Sequence, residues 1–148
     1  MNSPGWTDAD FDRLSWHDCH VHAVRVVAGE YGAGELEFDL DFIADWRCDE
    51  QGASFVLLPS LLRFREVTGL RMTLDWLAAT AALGPFSLNR IERRVEPRER
   101  YVATLWRLVV NWPAGDIEFE AAGFTQQPWG RAVVSRQQVL AQAERVAA

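Results

Sequence analysis

Residues 35 to 42 alternate without a break: Leu36, Phe38, Leu40 and Phe42 fall on one side, and Glu35, Glu37, Asp39 and Asp41 on the other. A period of two puts the sets on opposite faces of a β-strand, so the pattern predicts one face in the core and one in water. Strands of this half-wet kind belong to antiparallel sheets, because parallel strands covered by helices on both faces read as continuous apolar runs. Cys19 to Ala28 alternates more loosely, and the glycine-punctuated stretch Gly29 to Gly34 joins it to residues 35–42 as a β-hairpin.

Further strands are predicted over Ser54–Leu58, Leu61–Val67 and Leu70–Trp76, with Thr68-Gly69 turning the chain between the last two, and over Phe86–Ile91. Arg93 to Arg100, which contains Pro97, reads as a charged connection. Val102, Thr104, Trp106, Leu108, Val110 and Trp112 then alternate strongly, and Pro113-Ala114-Gly115-Asp116 turns into Ile117, Phe119 and Ala121 as a second hairpin. Helical turns are expected over residues 7–14 and in the alanine-rich stretch 77–84, which Gly84-Pro85 ends. At the C-terminal end Ser135-x-x-Gln138 forms a capping-box signal ahead of Val139, Leu140, Ala143 and Val146, predicting an amphipathic helix whose stripe must dock on the strands. The sum is a mainly β fold of seven or eight strands, an antiparallel two-layer β-sandwich or strongly curved sheet with a C-terminal amphipathic helix. An open barrel is the remaining alternative.

Composition narrows the classes. The 148 residues fit one domain spanning 1–148, and no apolar run approaches the roughly 20 residues that cross a bilayer, so no membrane role is expected. The first residues lack the basic start and apolar stretch of a secretion signal, which predicts a cytoplasmic protein with Cys19 and Cys48 as free thiols. A net charge of −6 argues against nucleic-acid binding, which needs a basic face, and makes a basic partner the better fit. Every cation in the sequence is arginine, which excludes Schiff-base lysines and the P-loop lysine.

The three histidines fall in one window, Trp16-His17-Asp18-Cys19-His20-Val21-His22. On a regular strand His20 and His22 share a face, in phase with Val24 and Val26, about 6.6 Å apart, close enough to converge on a divalent metal. A metal-binding or metal-dependent hydrolase site built on His20 and His22 is therefore one expectation, set against core or rim histidines as the more frequent outcome. Asp18-x-His20-x-His22 also resembles the opening of the amidohydrolases, but those enzymes need a (β/α)₈ barrel of about 200 residues or more, and no later histidine follows here. Cys19 has histidines nearby, yet on a strand His20 points to the other face. No serine or cysteine lies in a nucleophile elbow. The carboxylates Glu37, Asp39 and Asp41 offer an acidic stripe to a basic partner, or simply a solvated face. Trp6, Trp16, Trp46 and Trp129 are the rings left outside the apolar phases, which raises a carbohydrate or small-ligand platform as a third reading.

Trp16-His17-Asp18 entering a strand, the run from Leu36 to Trp46, Val67-Thr68-Gly69-Leu70-Arg71, and Leu83-Gly84-Pro85-Phe86-Ser87 together resemble a group of small all-β bacterial proteins of unassigned function. More distantly, His17-Asp18 before an alternating strand is similar to the F-H-D-A-x-V opening of all-β immunity proteins from bacterial toxin systems, with tryptophan and Cys19 replacing phenylalanine and alanine. The resemblance implies an all-β fold in a bacterial cytoplasm and a protein-binding role without catalytic residues. The sequence thus leads to a non-catalytic domain that binds another protein, leaves self-association open, and gives His17, Asp18, Glu37, Asp39, Asp41 and Trp129 as candidate binding residues.

Overall fold

The alternation at residues 35–42 becomes the middle of a long strand, β3 (Gly34–Asp49), in the computed structural model of the chain, which describes residues 5–77 and 82–145. Around it lie β1 (Trp6–Thr7), β2 (His20–Val27), β4 (Gly52–Met72), β5 (Phe86–Pro97), β6 (Val102–Trp112), β7 (Gly115–Glu120), β8 (Gly123–Pro128) and β9 (Val133–Ser135). All belong to a single antiparallel sheet. β4 pairs with β3 on one edge, with β9 and β8 on the other, and with β7 at its end. The path β4-β3-β2-β5-β6-β7 therefore returns to β4. All the strands thus lie in one antiparallel sheet whose path closes on itself through the β4–β7 pairing. Along that closed path the thinnest seam lies between β2 and β5, which share His20↔Ser87 and Val21↔Phe86.

The apolar set of β3 faces the interior, where Leu36, Phe38 and Leu40 are fully buried. There Phe64 meets Phe119 at 4.7 Å and Trp106 at 5.2 Å between ring centroids, and Trp106 meets Phe124 edge-on at 5.6 Å. Such tilted and edge-to-face contacts add to the area these rings bury. Thr7 caps a short 3₁₀ turn (Asp8–Arg13), and Phe11 and Leu14 from this region pack on the core as their spacing predicts.

Several expectations are corrected. The three strands predicted between residues 54 and 76 are mostly one, β4, and Thr68-Gly69 is no turn: Gly69, at φ +65°, lies in a register shift between Thr68 and Arg71 that bends the strand without ending it. Arg93 to Pro97 continues β5 instead of forming a connection. The expected turn over 77–84 falls largely on residues 78–81, outside the described residues. The C-terminal amphipathic helix is absent among the described residues. Val133–Ser135 pairs with Phe55–Leu57 as β9, Ser135 Oγ accepts from Gln137 N at 3.0 Å, and only a 3₁₀ turn (Gln142–Glu144) follows. So short a helix gains little by itself, and strand pairing plus the burial of Leu140 outweigh it.

Ring closure depends on close backbone approach at the start of β7. A Cβ built on Gly115 would stand 1.9 Å from the Thr73 carbonyl oxygen, while Thr73 N donates to Asp116 O at 2.9 Å. Gly115→Ala is expected to lower stability by about 1–3 kcal/mol through forced overpacking of this seam, measurable as a reduced urea midpoint with an unchanged m-value.

Candidate functional site

The polar side of β3 is covered at Glu37 and Asp41, against the half-wet expectation, while Glu35 and Asp39 stay partly exposed. Glu37 is 5% exposed and lies between Arg25 (3.0 Å) and Arg63 (2.9 Å). Asp41 has no exposure at all. Arg25 and Arg63 come from the two strands flanking β3, each cross-strand from Glu37, which is where opposite charges on an antiparallel sheet meet.

Asp41 is the centre of a buried network. Its Oδ2 accepts from Leu140 N at 2.8 Å and lies 2.7 Å from His22 Nε2, while its Oδ1 accepts from Arg145 Nε at 2.8 Å. The Arg145 terminal nitrogens reach Asp39 at 2.6 and 3.2 Å, and the guanidinium lies 5.1 Å from the Trp129 ring. Trp129 Nε1 in turn donates to Asp39 Oδ1 at 3.0 Å. Burial pushes the Asp41 carboxyl up, but the bonds from His22, Leu140 and Arg145 outweigh it and hold the group below 3.8. Desolvation likewise opposes the Arg145 charge, and the two aspartates more than restore it.

His22 reaches this carboxylate because β2 carries a bulge. Val21 pairs with Leu40 and Ala23 with Asp39, leaving His22 without a cross-strand partner. The extra residue changes the phase, so His20, opposite Asp41, is not on the side of Val24 and Val26 as regular alternation predicts; those valines lie opposite Phe38 and Leu36. His20 Nδ1 lies 3.1 Å from the Asp18 carbonyl, and burial holds its pKa below 6.5 although the Asp18 and Gln138 backbones pull the other way. Among the described residues, no group of three or more His, Cys, Asp or Glu is arranged to hold a metal ion. Burial pushes the Cys19 thiol up to about 12, so no thiolate nucleophile is available there.

Asp18 and His17 form a second, shallower cluster. Asp18, at φ +63°, is an uncommon non-glycine conformation. Its carboxylate accepts from Asn111 Nδ2 and Gln138 Nε2, each at 3.2 Å, with His17 Nε2 at 3.4 Å. His17 stacks on Trp46, which is half exposed, at 6.4 Å. Of the predicted binding residues, Asp39, Asp41 and Trp129 are thus brought together, Glu37 sits in a neighbouring ion pair, and His17 and Asp18 form their own group. Trp16, though outside the apolar phases, is buried as the size of its ring favours, whereas Trp112, in phase with the apolar set of its strand, is exposed.

Sequence inspection missed Arg145, Gln138 and Asn111, whose partners are about a hundred residues away. It also missed two concavities that meet at Gly69. One, of about 360 Å³, is apolar and runs between Val26, the Gly29–Gly34 loop and Leu70. The other, of about 700 Å³, is lined by Arg93, Arg94, Arg98 and Arg107 with Glu92, Glu118 and Glu120. No protein-family model matches the chain, and neither a curated protein nor a solved structure matches it.

Removing one partner of a buried ion pair leaves the other charge uncompensated. Arg145→Ala is therefore expected to cost about 3–5 kcal/mol in chemical denaturation, whereas an exposed pair such as Arg47–Asp45 costs under about 1 kcal/mol when broken. A depressed histidine makes a separate prediction. The unfolded ring takes up a proton near 6.5 and the folded His20 does so only at lower pH, so its contribution is complete above 6.5 and is lost as pH falls below that value. Stability measured at about pH 7.5 and about pH 5.5 should fall less in His20→Gln than in the unaltered chain.

Proposed function

We propose that this chain is a non-catalytic β-domain of a bacterial cytoplasm that binds another protein, and that it does so through the surface around Gly69. One observation carries the proposal: the groove between the Gly29–Gly34 loop and Leu70 is predominantly apolar and open, with Val26 at 72% and Tyr31 at 101% exposure beside it. Single exposed apolar residues are ordinary, but a contiguous apolar tract next to a charged concavity is the usual form of a protein-binding surface. The likeness of Trp16-His17-Asp18 to the immunity-protein opening points to the same class.

The acidic stripe is a poorer candidate than its sequence suggests. Glu37 and Asp41 are already neutralised by Arg25, Arg63 and Arg145, so a basic partner would have to displace internal ion pairs. The deciding experiment is affinity capture from a bacterial lysate with the unaltered chain and with Val26→Ser/Leu70→Ser. A protein captured by the first and lost by the second, at unchanged melting temperature, supports this surface. Capture that is identical for both, or none at all at high protein concentration, rejects it.

A further inference from the structure

We propose that residues 136–145 form an exchangeable arm: in a pair of chains, each arm leaves its own sheet and seats Leu140 and Arg145 on Asp39, Asp41 and Trp129 of the other copy. This arrangement shares no residue with the groove beside Gly69 and does not rest on it.

The seat selects its occupant by charge. Glu37 already has two guanidinium partners, Arg25 at 3.0 Å and Arg63 at 2.9 Å. Asp39 and Asp41, farther along the same strand, have one between them among the described residues. That one is Arg145, which reaches them at 2.6 and 2.8 Å and lies 5.1 Å from the Trp129 ring. Asp41 is wholly buried, so departure of the arm leaves its carboxylate with His22 alone, and another guanidinium is the group that answers it. The same carboxylate takes the Leu140 N–H, and the Leu140 residue is 2% exposed. An occupant therefore needs a buried apolar residue, its main-chain N–H and an arginine at one fixed spacing. Residues 140–145 of an identical chain supply all three.

The arm is attached in a way that lets it leave whole. β9 ends at Ser135, and no described residue from 136 to 145 pairs in a strand. Within the arm, Glu144 N donates to Ala141 O and Arg145 N to Gln142 O, bonds that travel with it. It reaches the sheet through separate groups: Arg136 on the Ala53 carbonyl, Gln138 on Asp18 and, through its backbone, on His20, then Leu140 N and Arg145. Release breaks no strand ladder. Seating on a second copy restores the contacts of Gln138, Leu140 and Arg145, so the closed and exchanged forms differ mainly in the entropy of association and in the path of the chain after Ser135. The pair is reciprocal, two arms in two seats, and mass action favours it as concentration rises.

The test mixes two full-length variants. Asp39→Asn/Asp41→Asn keeps the arm and disables the seat, and Arg145→Ala does the reverse. Refolded together from urea at equal concentration, with one of them isotope-labelled, they are expected to give a mixed pair by native mass spectrometry. That pair should be about tenfold tighter or more than either variant's association with itself. A mixture that stays monomeric at high concentration, or whose mixed pairs are no tighter than each variant's own, overturns the proposal. If either variant fails to fold, the unaltered chain is refolded at high concentration instead. It is expected to yield a dimer whose fraction falls several-fold in Arg145→Lys, which keeps the charge and loses the fork. Monomer alone, or a dimer undiminished in Arg145→Lys, overturns the proposal by this route.

Discussion

Everything else in this fold is hung on β4. Its length lets one strand serve β3, β9, β8 and β7, so a single continuous backbone carries both the return of the sheet on itself and the attachment of the C-terminal strand. A strand that long would splay if flat. The bend at Gly69 and the positive φ of Glu66 (56°) redirect it, and the aromatic core fills the volume that the curl encloses.

The second organising element is a carboxylate placed where it cannot be solvated. Asp41 acquires a ring nitrogen, a main-chain N–H and a guanidinium from three parts of the chain. Burying such a group is costly against an apolar alternative, and here the C-terminal segment offsets that cost by bringing the Leu140 N–H and the Arg145 guanidinium to it. That same demand puts Arg145 and Trp129 over Asp39 and covers the Asp41 end of a face that looks open.

What could be read from the sequence follows from how local each signal is. Leu36, Phe38, Leu40 and Phe42 announced their strand because alternation is a property of neighbours, and the hairpin through Gly115 was legible for the same reason. Thr68-Gly69 misled because a glycine at positive φ serves a turn and a bulge equally well, and only the partner strand decides between them. The bulge at His22 was invisible for that reason too, and with it the phase of His20. The arginine of the buried network sat on the polar side of an expected helix. Nothing nearby distinguished Arg145 from a solvated residue, since its partners lie more than a hundred positions earlier.

That separation bears on the order of assembly during synthesis. Asp41 and Arg145 are 104 residues apart, and Leu140 reaches the same carboxylate across 99. While the ribosome is still making the second half of the chain, β2, β3 and β4 have all emerged, yet the acid at their centre has only His22 to answer it. Burying Asp41 at that stage would strand a charge, so the network around it can be completed only once the C-terminal segment has been made.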